Sequence, residues 1–332
     1  MRPAEPGADD TVRILRTPRP RRATWPFAVV ASACVVLAGS AAFWLLRPHP
    51  AAAPPSATAQ VSTASAPEFQ IEAATEAEIG AHVATALTVF RLADNPRILV
   101  LDFASLHEQG KMLNRVAAFV EKAGLPHDRV LTDSELDAAI LARGDTTETF
   151  YFGHDYAASA LARFFERADS QRIELNPQEE KLRTLLRQEG WFARDVAAGL
   201  ISLPAVGSDP RITASARAAI LRHELSHGEF FSDPAYAEFV HDFWAQQLTE
   251  TERAGMRAFL GREEYDVRDE ELMLNEMQAY LMFTRDPTFF TPGQARLTQA
   301  RLIELQTRFL AGMPAGWLHD LLASDQGAAA AH

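Results

Sequence analysis

Read as a string of apolar and polar positions, the chain changes character twice before it settles. Residues 1–24 are polar and Pro-rich, with Arg13, Arg16, Arg19, Arg21 and Arg22 crowded towards their end. Residues 25–46 hold no charged side chain. Their 22 positions rise about 33 Å as a helix, enough to cross a bilayer core of about 30 Å. Residues 47–67 are almost wholly Ala, Pro, Ser and Thr, a composition that buries no core and predicts an extended linker. From residue 68 the apolar positions become periodic. Ile71, Ile79, Val83, Leu87 and Phe90 predict a first helix, and the branched run 97–103 predicts a buried strand. Helices follow over about 106–122, from the capping box Thr132–Glu135 to Leu141, and over about 156–168 and 177–188. Short strands are expected at 147–152 and 200–203. Thr213 opens a helix to about Phe231, Pro234 starts another to about Leu248, and Thr249–Glu252 is a further capping box. The last helices are expected at about 268–283 and 292–310, with 326–332 a disordered tail. Few strands and no alternation of strand and helix predict an α+β domain over 68–325, predominantly α-helical, with a small sheet.

The ends say where such a domain would sit. Five Arg crowd just before the apolar span and only Arg47 follows it closely, which predicts a single-pass membrane helix with a cytoplasmic N-terminus. The domain after it is then periplasmic or extracellular. Ala38-Gly39-Ser40 resembles a signal-peptide cleavage site, but the apolar run continues to Leu46, and the anchor is the preferred reading. From residue 68 on there are 25 Lys and Arg against 41 Asp and Glu, a net of −16, so no nucleic-acid partner is expected. The one cysteine, Cys34, lies in the apolar span. The outer domain therefore has no disulfide and no thiol nucleophile, and a metal site in it must use His and carboxylates.

Such a site is spelled out at His223-Glu224-Leu225-Ser226-His227. Residues four apart on a helix share a face, so both imidazoles can hold one Zn²⁺ while Glu224 reaches a water on it. A catalytic zinc needs a third protein ligand and an open position. Asp233 lies six residues after His227, but Phe230 stands where a sharp turn wants Gly, and Asp233 before Pro234 also suits a helix cap. Glu276 is the stronger candidate. On a helical wheel it falls among Leu272, Met273, Ala279, Tyr280 and Phe283, where an uncompensated carboxylate is costly to bury.

His223, Glu224 and His227 on one helix and Asn275-Glu276 on a later one resemble the gluzincin class of zinc metallopeptidases. The resemblance covers about 213–231 and 268–284. It implies one Zn²⁺ on His223, His227 and Glu276, with Glu224 activating the water that attacks a peptide carbonyl. Where many gluzincins carry an Asp that orients a ligand His, this chain has Tyr280. The resemblance further implies an edge strand on which an extended peptide or protein substrate pairs, expected at 199–206. It also implies a donor for the oxyanion, for which His154, Tyr156, Tyr265 and Tyr280 are candidates. The expectation is thus a membrane-anchored zinc metallopeptidase; an amide of a cell-wall peptide fits the same chemistry. The rival is an anchored envelope binding domain whose zinc site is structural or inactive.

Overall fold

The computed structural model describes residues 68–330. The basic tail 1–24, the apolar span 25–46 and the linker 47–67 lie outside the described residues. Among those described, no helix is long and apolar enough to cross a membrane. The fold is α+β and mostly helical, around a mixed sheet of five strands. These are β1 (Ile71–Ala74), β2 (Thr88–Leu92), β3 (Ile98–Phe103), β4 (His154–Ala157) and β5 (Gly199–Pro204), in the order β1-β2-β3-β5-β4. β1 runs parallel to β2 and β3 parallel to β5, whereas β2–β3 and β5–β4 are antiparallel.

Three expectations need correcting here. The first predicted helix is instead β1, a short α1 (Glu76–Ala81) and β2. Thr75 closes a capping box with Glu78 that starts α1, and the β-branched and aromatic run Thr88-Val89-Phe90 is taken by the sheet. The segment 147–152 is irregular, and the strand begins at His154. Finally, 199–204 is not an edge: β5 is buried along its length between β3 and β4, and the edge strand on that side is β4.

The helices follow the capping signals closely. α2 (Leu106–Val120) starts at Ser105, α3 (Asp133–Ala142) at Thr132, α5 (Pro177–Gln188) at Asn176 and α8 (Glu250–Arg262) at Thr249, each cap accepting from a backbone N–H. α4 (Ala158–Gln171), α7 (Pro234–Gln247), α9 (Glu270–Gln278) and α10 (Gln299–Gly312) complete the predicted set. A further helix, α11 (Trp317–Ala330), extends into the stretch expected as tail.

The central helix is α6 (Ala214–Ser232), laid on one face of the sheet. Pleating sends alternate side chains to opposite faces. Ile98 touches Gly228 and Asp102 binds Arg217, so the even positions of β3 face α6. Register then places Gly199, Ile201, Asp155 and Ala157 on that same face. Close contact depends on two glycines: a Cβ on Gly199 would lie 3.0 Å from the Gly228 backbone, and one on Gly228 2.9 Å from Ile98. Arg217 ties helix to sheet by donating to both Asp102 oxygens at 2.9 Å and to the Pro204 carbonyl at 2.6 Å, all buried. Cutting one partner from such a buried pair costs about 3–5 kcal/mol, because the other charge is left uncompensated.

Candidate metal centre

α6 puts His223 and His227 one turn apart, with ring centroids 4.8 Å from each other. α9 brings Glu276 to both. His223 Nε2 lies 3.6 Å from Glu276 Oε2, and His227 Nε2 lies 3.9 Å from Glu276 Oε1. A tetrahedral zinc with bonds of 2.0–2.2 Å requires donors about 3.3–3.6 Å apart. The first separation falls in that range and the second is slightly wider. Two imidazoles and a carboxylate, each 0 % exposed, therefore form a group that could hold a metal ion.

The orientation of His223 supports this fit. Its Nδ1 is 2.8 Å from the Thr284 hydroxyl, and that hydroxyl gives its single proton to the Ala279 carbonyl at 3.1 Å. Thr284 Oγ1 can then only accept, so His223 carries its proton on Nδ1 and presents the Nε2 lone pair towards Glu276. This arrangement depends on an irregularity. After Gln278 the helix widens into a π-turn over Ala279–Phe283, and the Thr284 N–H reaches back to the Ala279 carbonyl. π-turns of this kind gather at functional sites. The extra residue in the turn swings Thr284 under His223, whereas Tyr280 packs its ring edge-on against the imidazole at 4.8 Å.

Glu224 is also 0 % exposed, and neither of its carboxylate oxygens has a hydrogen-bond partner. Gly153 lies against it so closely that a Cβ there would be 2.1 Å from Glu224 Oε1. Asp155, on the α6 face of β4, joins the same group: its carboxylate, that of Glu224 and His227 offer atoms within 4.8 Å of one another. Asp155 Oδ1 is 3.8 Å from His227 Nδ1. The two metal-competent groups share His227, whose Nδ1 faces Asp155 and whose Nε2 faces Glu276.

Burial sets the protonation of this cluster. Desolvation holds His223 down to about 3 and His227 down to about 4, so both imidazoles are neutral at pH 7, the form that ligates metal. Glu224 is driven well above the carboxylate range, first by burial and then by the charges of Glu276 and Glu121. Asp155 is raised by burial and by Glu224, Glu121 and Glu276. A cation among these groups opposes both causes.

The remaining predicted residues lie elsewhere. Asp233 belongs to neither metal-competent group; its carboxylate caps α7, accepting from Ala235 N at 2.8 Å and Tyr236 N at 3.3 Å. It is not brought to the histidines because α6 runs straight on to Ser232, as Phe230 in place of Gly allows. His154 and Tyr156 flank Asp155 on β4 and so project from the opposite face of the sheet, hydrogen-bonded to each other at 2.8 Å. Tyr265 pairs with Lys122 in the turn between α8 and α9. Of the four expected oxyanion donors, Tyr280 alone touches a ligand, through its ring. The sequence reading missed Asp155, Gly153 and Thr284. Asp155 and Gly153 sit in the 151–156 cluster, which carries no spacing signal, and Thr284 is reached only through the π-turn.

No protein-family profile matches this chain, and neither the curated proteins nor the solved structures include a significant match to it.

Proposed function

We propose that this chain is a membrane-anchored zinc metallopeptidase that hydrolyses peptide bonds outside the cytoplasm. One observation carries the reading: His223, His227 and Glu276 converge while Glu224, beside them, keeps both carboxylate oxygens uncommitted. Zinc, when bound by those three residues, supplies Lewis acidity that acidifies water and polarises a carbonyl. Glu224 takes the proton of the attacking water and passes it to the amide nitrogen as the C–N bond breaks. Thr284 holds His223 in the ligating tautomer, and the dry surroundings strengthen every charge interaction in the centre. β4 offers the edge along which an extended peptide can add a strand.

The test is zinc content and peptide hydrolysis in the full-length protein. One zinc per chain is expected, and Glu224→Gln should keep it while lowering hydrolysis by about 10²–10⁴-fold. Undiminished hydrolysis by Glu224→Gln refutes the assignment. A second reading, an envelope binding domain with a structural zinc, draws on the complete burial of the centre. Zinc bound without any hydrolysis across a peptide library supports it instead.

A further inference from the structure

His223 and His227 differ in a way that their shared motif hides. His223 has its Nδ1 committed to the Thr284 hydroxyl at 2.8 Å, which leaves Nε2 alone for a ligand. His227 has both ring nitrogens buried with no hydrogen bond of normal geometry, although Asn275 lies close enough to act on the ring. A histidine that ligates a metal ordinarily donates its other N–H to a partner. Here a carboxylate faces each side of the ring instead. Glu276 Oε1 lies 3.9 Å from Nε2, and Asp155 Oδ1 lies 3.8 Å from Nδ1. Both separations are too long for a hydrogen bond and only slightly wider than two donors around one ion. The lone pairs of the two nitrogens diverge, so one ion cannot use both.

Glu224 completes a group on the Asp155 side. Asp155, Glu224 and His227 each offer a ligand atom within 4.8 Å of the others. Both Glu224 oxygens are buried without a hydrogen-bond partner. A Cβ on residue 153 would lie 2.1 Å from Glu224 Oε1, so Gly153 is what lets the start of β4, and Asp155 with it, come this close. Spacings this wide contract around an ion. Asp155 is placed to supply that movement: its side chain is 6 % exposed, against 0 % for His223, His227 and Glu276. An ion can therefore arrive past Asp155. Charge favours it as well. Three carboxylates meet two imidazoles, so one divalent ion leaves negative charge in excess, and Glu121 adds to it at both Asp155 and Glu224. Uncompensated charge in a core is costly.

We propose that Asp155, Glu224 and His227 Nδ1 form a second divalent-cation site, and that an ion there silences hydrolysis by turning Glu224 from base into ligand. The inhibitory role rests on the metallopeptidase reading; the site itself does not. Two carboxylates and one imidazole make a harder donor set than two imidazoles and one carboxylate, so the second site suits Mn²⁺ while the first keeps zinc. With a first ion on Nε2 the ring proton sits on Nδ1; the second ion replaces it, and the proton passes to solvent. Glu224, bound to that ion, no longer accepts the proton of the attacking water.

The probe is Mn²⁺, titrated into full-length protein loaded with one zinc and followed by electron paramagnetic resonance, to which zinc is silent. Zinc holds nitrogen and oxygen ligands more tightly than Mn²⁺ and is not displaced from the first site. The unaltered protein should take up one Mn²⁺ per chain, and hydrolysis should fall as it does. Asp155→Asn keeps the shape and removes a ligand charge, so Mn²⁺ uptake should weaken by about tenfold or more. Measured against its own rate without Mn²⁺, this variant should resist inhibition at the same concentrations. Its zinc content should stay at one, which shows that the fold and the first site persist. Asp155→Glu, which keeps the carboxylate, should recover part of the uptake. No Mn²⁺ uptake by zinc-loaded protein, or uptake unchanged in Asp155→Asn, overturns the second site. Uptake that leaves hydrolysis at its full rate overturns the role given to Glu224. Uptake that depends on Asp155 in a protein that hydrolyses no peptide removes the peptidase reading and leaves the second site standing.

Discussion

At the scale of single residues the centre is a problem of orientation. Motif spacing alone identified His223, Glu224 and His227, because four-residue spacing on a helix is geometry that the sequence carries in full. Glu276 was legible as a carboxylate on an apolar stripe, a placement that a metal or an ion pair must explain. Thr284 was not legible, since a helical wheel puts Tyr280 beneath the histidine and cannot foresee a π-turn. Its role gives a direct prediction. Thr284→Val keeps the shape and removes the acceptor for His223 Nδ1–H, so zinc affinity should fall by about 10–100-fold, the usual cost of losing such a partner. Thr284→Ser should restore most of it. Competition titration with a chromophoric chelator reads both, and an unchanged affinity in Thr284→Val excludes Thr284 as the orienting group.

At the scale of elements, β4 is the informative strand. Its sequence, His-Asp-Tyr-Ala, contains no apolar alternation, and the sequence pattern places a strand before it, at 147–152, and a helix from about 156. Pairing with β5 makes it one edge of the sheet and splits its polar side chains between two faces, Asp155 to α6 and His154 to the opposite layer. By contrast β3, β5 and most helices were visible in advance, because branched apolar runs and capping boxes are local signals. The irregular segment 147–152 and the edge strand depend on partners supplied from distant sequence. The buried face of β4 has a consequence for acid stability. Burial, with a smaller contribution from the charge of Lys122, lowers His154 to about 3 in the folded state from 6.5. The unfolded chain therefore takes up this proton first, and the stability involved is complete above 6.5 and is lost as pH falls towards 3. Between pH 7 and 4.5 the metal-free protein should lose about 2–3 kcal/mol more than His154→Gln does. Denaturant midpoints at the two pH values give the comparison, and parallel losses in both proteins would show that His154 titrates normally.

For the whole molecule, the centre is a concentration of like charge in a domain that already carries a net of −16 from residue 68 on. Asp155, Glu224 and Glu276 meet within the core beside two neutral imidazoles, and desolvation opposes the ionisation of Asp155 and Glu224. Sheet, helices and the Arg217–Asp102 tie bring these groups together. The ligands come from elements far apart in sequence, so metal binding should return its free energy as stability of the entire domain. An ion that binds only the folded chain stabilises it by about 4 kcal/mol at a free concentration a thousandfold above its Kd. For a domain of this size that corresponds to a rise in Tm on the order of 10 °C. Scanning the protein with excess chelator and again with buffered zinc should show this rise, and Glu276→Ala should abolish it while Asp233→Ala retains it. The contrast between those two variants discriminates between a centre closed by α9 and one closed at the end of α6. A Tm that zinc leaves unmoved in the unaltered protein would mean that these buried carboxylates are kept neutral by protons alone.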